Sequence, residues 1–125
     1  MKRDKIIYWV TTSLVALSGL MAGIMYFFNP SVTKEFMHLG FPDYLRIELA
    51  TAKMIGAFAL ILTIVPNRIK EWTYAGFAIV FISATIAHIA VDGAPSAIPP
   101  VITFLLLVIS YVYFTKVNLK TISKD

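Results

Sequence analysis

Cysteine is absent from the 125 residues of this chain. Its absence excludes disulfides, thiolate metal sites and dithiol redox chemistry. The sequence also lacks a glycine-rich phosphate loop, a serine nucleophile spaced for a catalytic triad, and a histidine cluster. Any electron transfer would therefore need a bound cofactor or a partner subunit, and the residues leave open whether the chain is an enzyme.

Charged residues are also scarce, at 14% of the chain against 58% for hydrophobic residues. A soluble domain of this size needs a more polar surface, so we expect most of the chain to lie in the lipid bilayer. The net charge of +4 is compatible with nucleic acid, but the basic residues stand mainly at the ends and in one short loop. This placement is typical of topology signals, and we predict no nucleic-acid partner.

Four apolar stretches are long enough to cross a bilayer as helices of about 20 residues. They cover residues 6–28, 44–65, 69–91 and 97–115. Proline or glycine, together with a polar turn former, separates them. The sequence therefore predicts an all-α fold, an integral membrane four-helix bundle in which residues 1–125 form a single transmembrane domain.

The longest connection between these stretches, residues 30–43, has a helical pattern of its own. From Val32 onward, apolar residues recur at i, i+4 and i+7 with polar residues between them. This pattern predicts a short interfacial helix between helices 1 and 2, lying in the outer interface. We expect Asp43 to cap the helix that follows.

Small residues mark the expected helix contacts. Gly19 and Gly23 stand one turn apart in the first span, and Ala52 and Gly56 do so in the second. Close backbone approach and dispersion replace the hydrophobic effect between helices in lipid. We therefore expect these faces to pack against neighbouring helices.

Lysine and arginine lie mostly on one side of the predicted bundle. The basic residues on that side are Lys2, Arg3, Lys5, Arg68, Lys70, Lys116, Lys120 and Lys124. The positive-inside rule makes that side cytoplasmic. It predicts a multi-pass protein of the cell (inner) membrane with both termini in the cytoplasm.

Ionisable residues interrupt the outer halves of the second and third spans. Such groups are costly in a bilayer, and they normally face the bundle interior or a wet cavity. We predict a ligand-binding site there, with candidate residues Arg46, Glu48, Lys53, His88 and Asp92. Because neighbouring antiparallel helices bring their polar ends to one side of the membrane, we expect Lys53, Glu48, His88 and Asp92 to converge on a pocket.

Two of these residues have competing interpretations. Lys53 lies deep in its span, but its long side chain could also snorkel to the outer interface. His88 stands one turn from Asp92, which is expected to accept a hydrogen bond from the imidazole, although a purely structural role for His88 is the alternative. Because the chain has only two histidines and scattered carboxylates, we predict no metal site.

From residue 44 onward the chain resembles the DoxX-like family of small bacterial membrane proteins. The resemblance rests on Ala52-Lys53-Met54-Ile55-Gly56-Ala57, on Ala75-Gly76-Phe77, and on Ala87-His88 ahead of Asp92-Gly93. It implies a four-helix membrane fold. Lys53 and His88 are the candidate site residues that match positions of the family pattern.

The DoxX family takes its name from a small subunit of a thiosulfate:quinone oxidoreductase, and similar proteins are linked to membrane redox complexes and oxidative stress. The resemblance thus implies a small subunit or ligand-binding component of a quinone-linked redox system. Such a component has no covalently bound cofactor, takes a quinone as ligand, and works in the bilayer with a redox partner subunit or as a homo-oligomer. More distant relatives assemble or traffic other membrane proteins, so the alternative is a non-enzymatic scaffold or assembly factor.

Overall fold

The computed structural model describes residues 2–124, with side chains described for residues 2–118. The chain is 91% helical, without a strand in the described residues, which confirms the all-α prediction. The elements are α1 (Lys2–Phe28), α2 (Pro30–His38), α3 (Asp43–Ile61), α4 (Asn67–Asp92), a 3₁₀ turn (Ala94–Ala97) and α5 (Ile98–Lys124). The side chains of Lys120 and Lys124, used above to assign the cytoplasmic side, lie outside the described residues.

Within the described part of the chain, three segments are long and apolar enough to cross a membrane. They are Lys2–Phe28, Asn67–Asp92 and Ala94–Asn118. Their surfaces expose many large hydrophobic side chains, such as Ile79 and Ile86 on α4, and a surface of this kind requires lipid or another apolar partner. The described residues therefore form five α-helices, three of them in apolar segments long enough to span, where the sequence predicted four spans. α3 is not among the three because it carries Asp43, Arg46, Glu48 and Lys53.

The observed helix boundaries differ clearly from the prediction at the end of α3. The apolar run continues to Val65, but the helix ends at Ile61. Residues 63–65 are β-branched, and Val65 precedes Pro66, which disfavours helical backbone at that position. α1 begins before its apolar run and α5 ends after its own, so the polar residues at those two ends are also helical.

α2 is a nine-residue helix with a cap at each end. The Asn29 side chain accepts a 2.9 Å hydrogen bond from the backbone N–H of Ser31. At the other end Gly40 has a φ of 86°, a left-handed conformation that favours glycine. Phe41 then folds back, so that its ring centroid lies 5.9 Å from that of Phe36. These caps fix the direction in which the side chains of α2 point.

The long helices follow one another around the bundle in the order α3, α1, α5, α4. α1 contacts both α3 and α5 along its length, and α4 packs against α5. Gly19 and Gly23 lie at the α1–α3 contact as predicted, since a Cβ atom at Gly23 would be 3.1 Å from the carbonyl oxygen of Ala50. α3 and α4 make the sparsest contact between neighbouring long helices. The bundle is therefore least closed along this α3–α4 seam.

A hydroxyl network lies within the aromatic core. The buried hydrophobic side chains of this core are Tyr8, Val15, Leu60, Tyr74, Phe77, Phe81, Leu107 and Phe114. Ser110 is fully buried, and its hydroxyl lies 2.6 Å from the hydroxyls of both Thr12 and Tyr74. This network joins α1, α4 and α5.

Candidate functional site

A cavity of about 540 Å³ opens at the end of the α3–α4 seam next to α2. Most of its lining is apolar, and its polar lining residues include Tyr26, Glu35, Lys53, Ser83 and His88. A concave apolar space with a few convergent polar groups is the usual form of a small-molecule site. The cavity contains two of the predicted site residues, Lys53 from α3 and His88 from α4.

Lys53 points into the bundle, and its side chain is 9% exposed. Its ammonium donates a 2.9 Å hydrogen bond to the hydroxyl of Tyr26. The same nitrogen lies 4.7 Å from the Tyr26 ring centroid and 5.8 Å from that of Phe81. Among the described residues no carboxylate lies within 4.0 Å of this nitrogen. The cation is therefore held by a hydroxyl and two ring faces, and it does not snorkel to the interface.

His88 meets a different partner from the one predicted. Its expected hydrogen bond to Asp92 is not formed, and Nδ1 of His88 instead faces Oε1 of Glu35 at 4.0 Å. Nδ1 is screened from solvent and has no hydrogen-bond partner. Asp92 lies 2.6 Å from Nε2 of His38. The physical reason is that His88 and Asp92 share one face of α4, and α2 supplies a partner to each of them.

Glu35, His38, His88 and Asp92 together form what we call the acid–histidine cluster. No Cα atom of α2 lies within 8 Å of one in α4, so these side chains bridge the two helices at the edge of the cavity. The hydrogen bond to Asp92 and the negative charge of this residue raise the pKa of His38 above its ordinary value. The His38–Asp92 pair therefore stays charged to a higher pH than an isolated histidine would allow.

Arg46 and Glu48, also predicted for the site, are not among the residues that line the cavity. Arg46 donates to the Asp43 carboxylate at 3.0 Å and to the backbone carbonyl of Tyr26, so it holds the end of α1 against the start of α3. The prediction that Asp43 caps α3 is wrong, because the cap position is a proline without a side-chain hydrogen bond. Glu48 is exposed on α3.

A second, apolar groove of about 460 Å³ follows the α3–α4 seam. Ala52, Gly56, Trp72 and Gly76 are among its lining residues, and a Cβ atom at Gly76 would meet no atom within 4 Å. The missing side chain of Gly76 leaves room for an apolar chain. Lys53 lines both spaces, so it lies where the cavity meets the apolar groove.

Three residues of the site were not predicted from the sequence, namely Tyr26, Glu35 and His38. In sequence Tyr26 is indistinguishable from a tyrosine of an interfacial aromatic belt. Glu35 and His38 stand three positions apart on α2, which indicates one polar face. The spacing does not say which helix that face meets.

The fold and the cavity define the class of the protein, a small all-α membrane protein with a mostly apolar cavity between its helices that a few polar side chains line. The chain belongs to the DoxX-like family, whose sequence model matches residues 10–110. The match confirms the resemblance and includes all of α2, α3 and α4, and thus every residue that lines the cavity. No curated protein and no solved structure matches the chain.

Proposed function

We propose that this DoxX-like protein is the quinone-binding component of a membrane redox system. The observation that carries the proposal is the buried Lys53 cation, bonded to Tyr26 in the wall of a cavity that His88 also lines. The oxygens of a quinone gain negative charge when the ring is reduced. Donors fixed at those oxygens stabilise that charge, and they do so most strongly where water is excluded.

Lys53 and His88 have complementary roles in this proposal. The ammonium of Lys53 has no carboxylate partner among the described residues, so its charge is available to a carbonyl oxygen of the ligand. His88 also lines the cavity, and its imidazole can donate or accept a proton at the second oxygen. The cavity volume of about 540 Å³ lies in the usual range for small-molecule sites, roughly 300 to 1,000 Å³.

The apolar groove suits the tail of such a ligand. Quinones of membranes carry an isoprenoid chain, and the groove meets the cavity at Lys53. Gly76 leaves its floor open, since a Cβ atom there would meet no atom within 4 Å. In this arrangement the headgroup lies under α2 and the tail follows the α3–α4 seam.

The electrons come from a partner in this proposal, because the chain has no cysteine and no recognisable motif for haem or flavin. The chain would bind and orient the quinone, exclude water from it and move protons at its oxygens. The redox centre belongs to a partner subunit, or the site is completed in a homo-oligomer.

The proposal includes a topology in which α3 is a fourth span and α2 lies in the outer interface. Both termini are then in the cytoplasm, and the protein is a multi-pass protein of the cell (inner) membrane. α3 packs along α1, one of the apolar segments, and its Lys53 finds its partners inside the bundle. The basic residues at the N-terminus of α1, and Arg68 and Lys70 in the first turn of α4, support the same orientation.

Single cysteines test this topology without background, because the chain has none of its own. Ser31→Cys on α2 and Asn67→Cys at the start of α4 leave the number of lysines and arginines unchanged. A membrane-impermeant maleimide applied to intact cells should label Ser31→Cys, and should label Asn67→Cys only after permeabilisation. The reverse pattern, or equal labelling of both variants in intact cells, would contradict the proposed orientation.

Quinone binding can be followed through Trp72, which lines the groove. In a Trp9→Phe background Trp72 is the sole tryptophan, and a short-chain quinone should quench its fluorescence with saturation. Lys53→Met should raise the Kd at least about tenfold, since a hydrogen bond to a charged group contributes roughly 1.5 to 3 kcal/mol. Lys34→Met, which removes an exposed lysine of α2, is the matched control and should leave the Kd unchanged.

The quinone proposal would lose its basis if the fluorescence quenching did not saturate. The same holds if Lys53→Met bound the quinone with the same Kd as the protein that retains Lys53. The polar contacts of Lys53 would then serve to fix the register of the helices. That result would favour the scaffold or assembly factor, for which pull-down of a stable partner after gentle detergent extraction is the direct test.

A further inference from the structure

The acid–histidine cluster has a second feature, which depends on Nδ1 of His88 and on two carboxylates that the quinone proposal leaves unused. One ligating atom each from Glu35, His88 and Asp92 lie within 4.8 Å of one another. His88 and Asp92 stand one turn apart on α4, and Glu35 approaches them from α2. Two ligands at i and i+4 on one helix, completed by a third from another segment, are a recurrent arrangement in metal sites.

We infer that this cluster binds a divalent transition-metal ion such as Zn²⁺, with Glu35, His88 and Asp92 as its ligands and His38 as a positioning residue. One imidazole and two carboxylates are a donor set that Zn²⁺ and neighbouring first-row ions accept. The two carboxylates balance the charge of a divalent cation. The sequence alone predicted no metal site, because the chain has only two histidines and its carboxylates are scattered.

The distance between His88 and Glu35 supports this inference. Nδ1 of His88 and Oε1 of Glu35 are 4.0 Å apart, which is too long for a hydrogen bond. The same gap accommodates an ion about 2.1 Å from each atom, the usual length of zinc bonds to nitrogen and oxygen. Nδ1 is also screened from solvent without any partner. A metal ion between the two atoms would give Nδ1 the partner that the described side chains do not supply.

The ligand atoms must draw closer by a modest amount to surround an ion. In a tetrahedral site neighbouring donor atoms are roughly 3.4 Å apart, against a greatest separation of 4.8 Å in the cluster. Because the backbones of α2 and α4 are not in contact, rotation of long side chains can supply this change. Glu35 is exposed, so its carboxylate is free to move.

His38 has a separate role in this arrangement. Its Nε2 lies 2.6 Å from Oδ1 of Asp92, which orients the carboxylate toward α2. Hydrogen bonds of this kind to a ligating side chain commonly change metal affinity by about 10- to 100-fold. Three protein ligands also leave a tetrahedral ion one open position for water or an anionic group.

The test uses full-length protein without a histidine tag, purified in detergent and freed of metal with a chelator. Zn²⁺ competed against a chromophoric chelator should bind at one ion per chain with micromolar or tighter affinity. Glu35→Gln and His88→Gln should each weaken binding by at least about tenfold. Glu71→Gln changes an exposed carboxylate at the other end of α4 and is the matched control, with unchanged affinity expected.

Co²⁺ separates ligands from the positioning residue through its visible spectrum. His38→Gln should weaken Co²⁺ binding while leaving the band positions unchanged, whereas His88→Gln should shift them. The inference does not rest on quinone binding, and Lys53→Met should bind Zn²⁺ as the unaltered protein does. The metal site would be overturned if the unaltered protein did not bind Zn²⁺ stoichiometrically. It would also be overturned if Glu35→Gln and His88→Gln bound Zn²⁺ as tightly as the unaltered protein does.

Discussion

Replacement of Ser110 by alanine tests the hydroxyl network that joins α1, α4 and α5. The substitution removes two contacts of 2.6 Å, one to Thr12 and one to Tyr74. Interhelical hydrogen bonds in bilayers contribute about 0.6 kcal/mol on average and up to about 1.7 kcal/mol. Since Ser110 and Thr12 are fully buried, no water replaces the lost partner, and we expect the free energy of unfolding to fall by about 1 to 3 kcal/mol.

Reversible unfolding in mixed detergent–lipid micelles measures this free energy, and Ser13→Ala provides the matched control. Ser13 lies on α1 next to Thr12 but is exposed, so its loss should change the free energy by less than about 0.5 kcal/mol. If Ser110→Ala is no less stable than Ser13→Ala, the network contributes no stability and the reasoning is refuted.

Three further substitutions can be measured by the same unfolding assay. Gly23→Ala should cost about 1 to 3 kcal/mol, because its Cβ atom would lie 3.1 Å from a backbone carbonyl of α3; equal stability would contradict the close α1–α3 contact. Gly76→Ala should be nearly neutral, since its Cβ atom meets nothing within 4 Å, and a large loss would show that the seam is closed. Lys70→Met should cost about 1 kcal/mol, because it removes a buried 2.8 Å hydrogen bond to the Leu60 carbonyl at the end of α3; an unchanged free energy would exclude that capping role.

The helices were predictable because lipid imposes a simple rule on the sequence. An apolar run must satisfy its own backbone hydrogen bonds, so long runs become helices and proline-containing breaks separate them. The rule failed at the end of α3, where residues 62–65 close the apolar stretch but are not helical. There the local backbone preference before Pro66 decided the structure.

Lys53 and His88 could be placed in the site because a charge within an apolar span needs an interior partner. The same rule selected Glu48, which is exposed in the structure. The free-energy cost of burying a charge does not show which face of a helix points into the bundle. Glu35 and His38 were missed for the opposite reason. They lie on a short helix where charges carry no penalty, and only the tertiary position of α2 brings them to α4.

The central claim, that the cavity binds a quinone through Lys53, is tested most directly by photoaffinity labelling in membranes. An azidoquinone should attach to residues that line the cavity or the groove, in peptides that contain Tyr26, Lys53 or His88, as mass spectrometry can show. Excess unlabelled quinone and the Lys53→Met substitution should both suppress the labelling. The claim would be contradicted if the label attached to the exposed face of α5, at residues such as Ile102 and Leu105, and if neither unlabelled quinone nor the Lys53→Met substitution reduced that labelling.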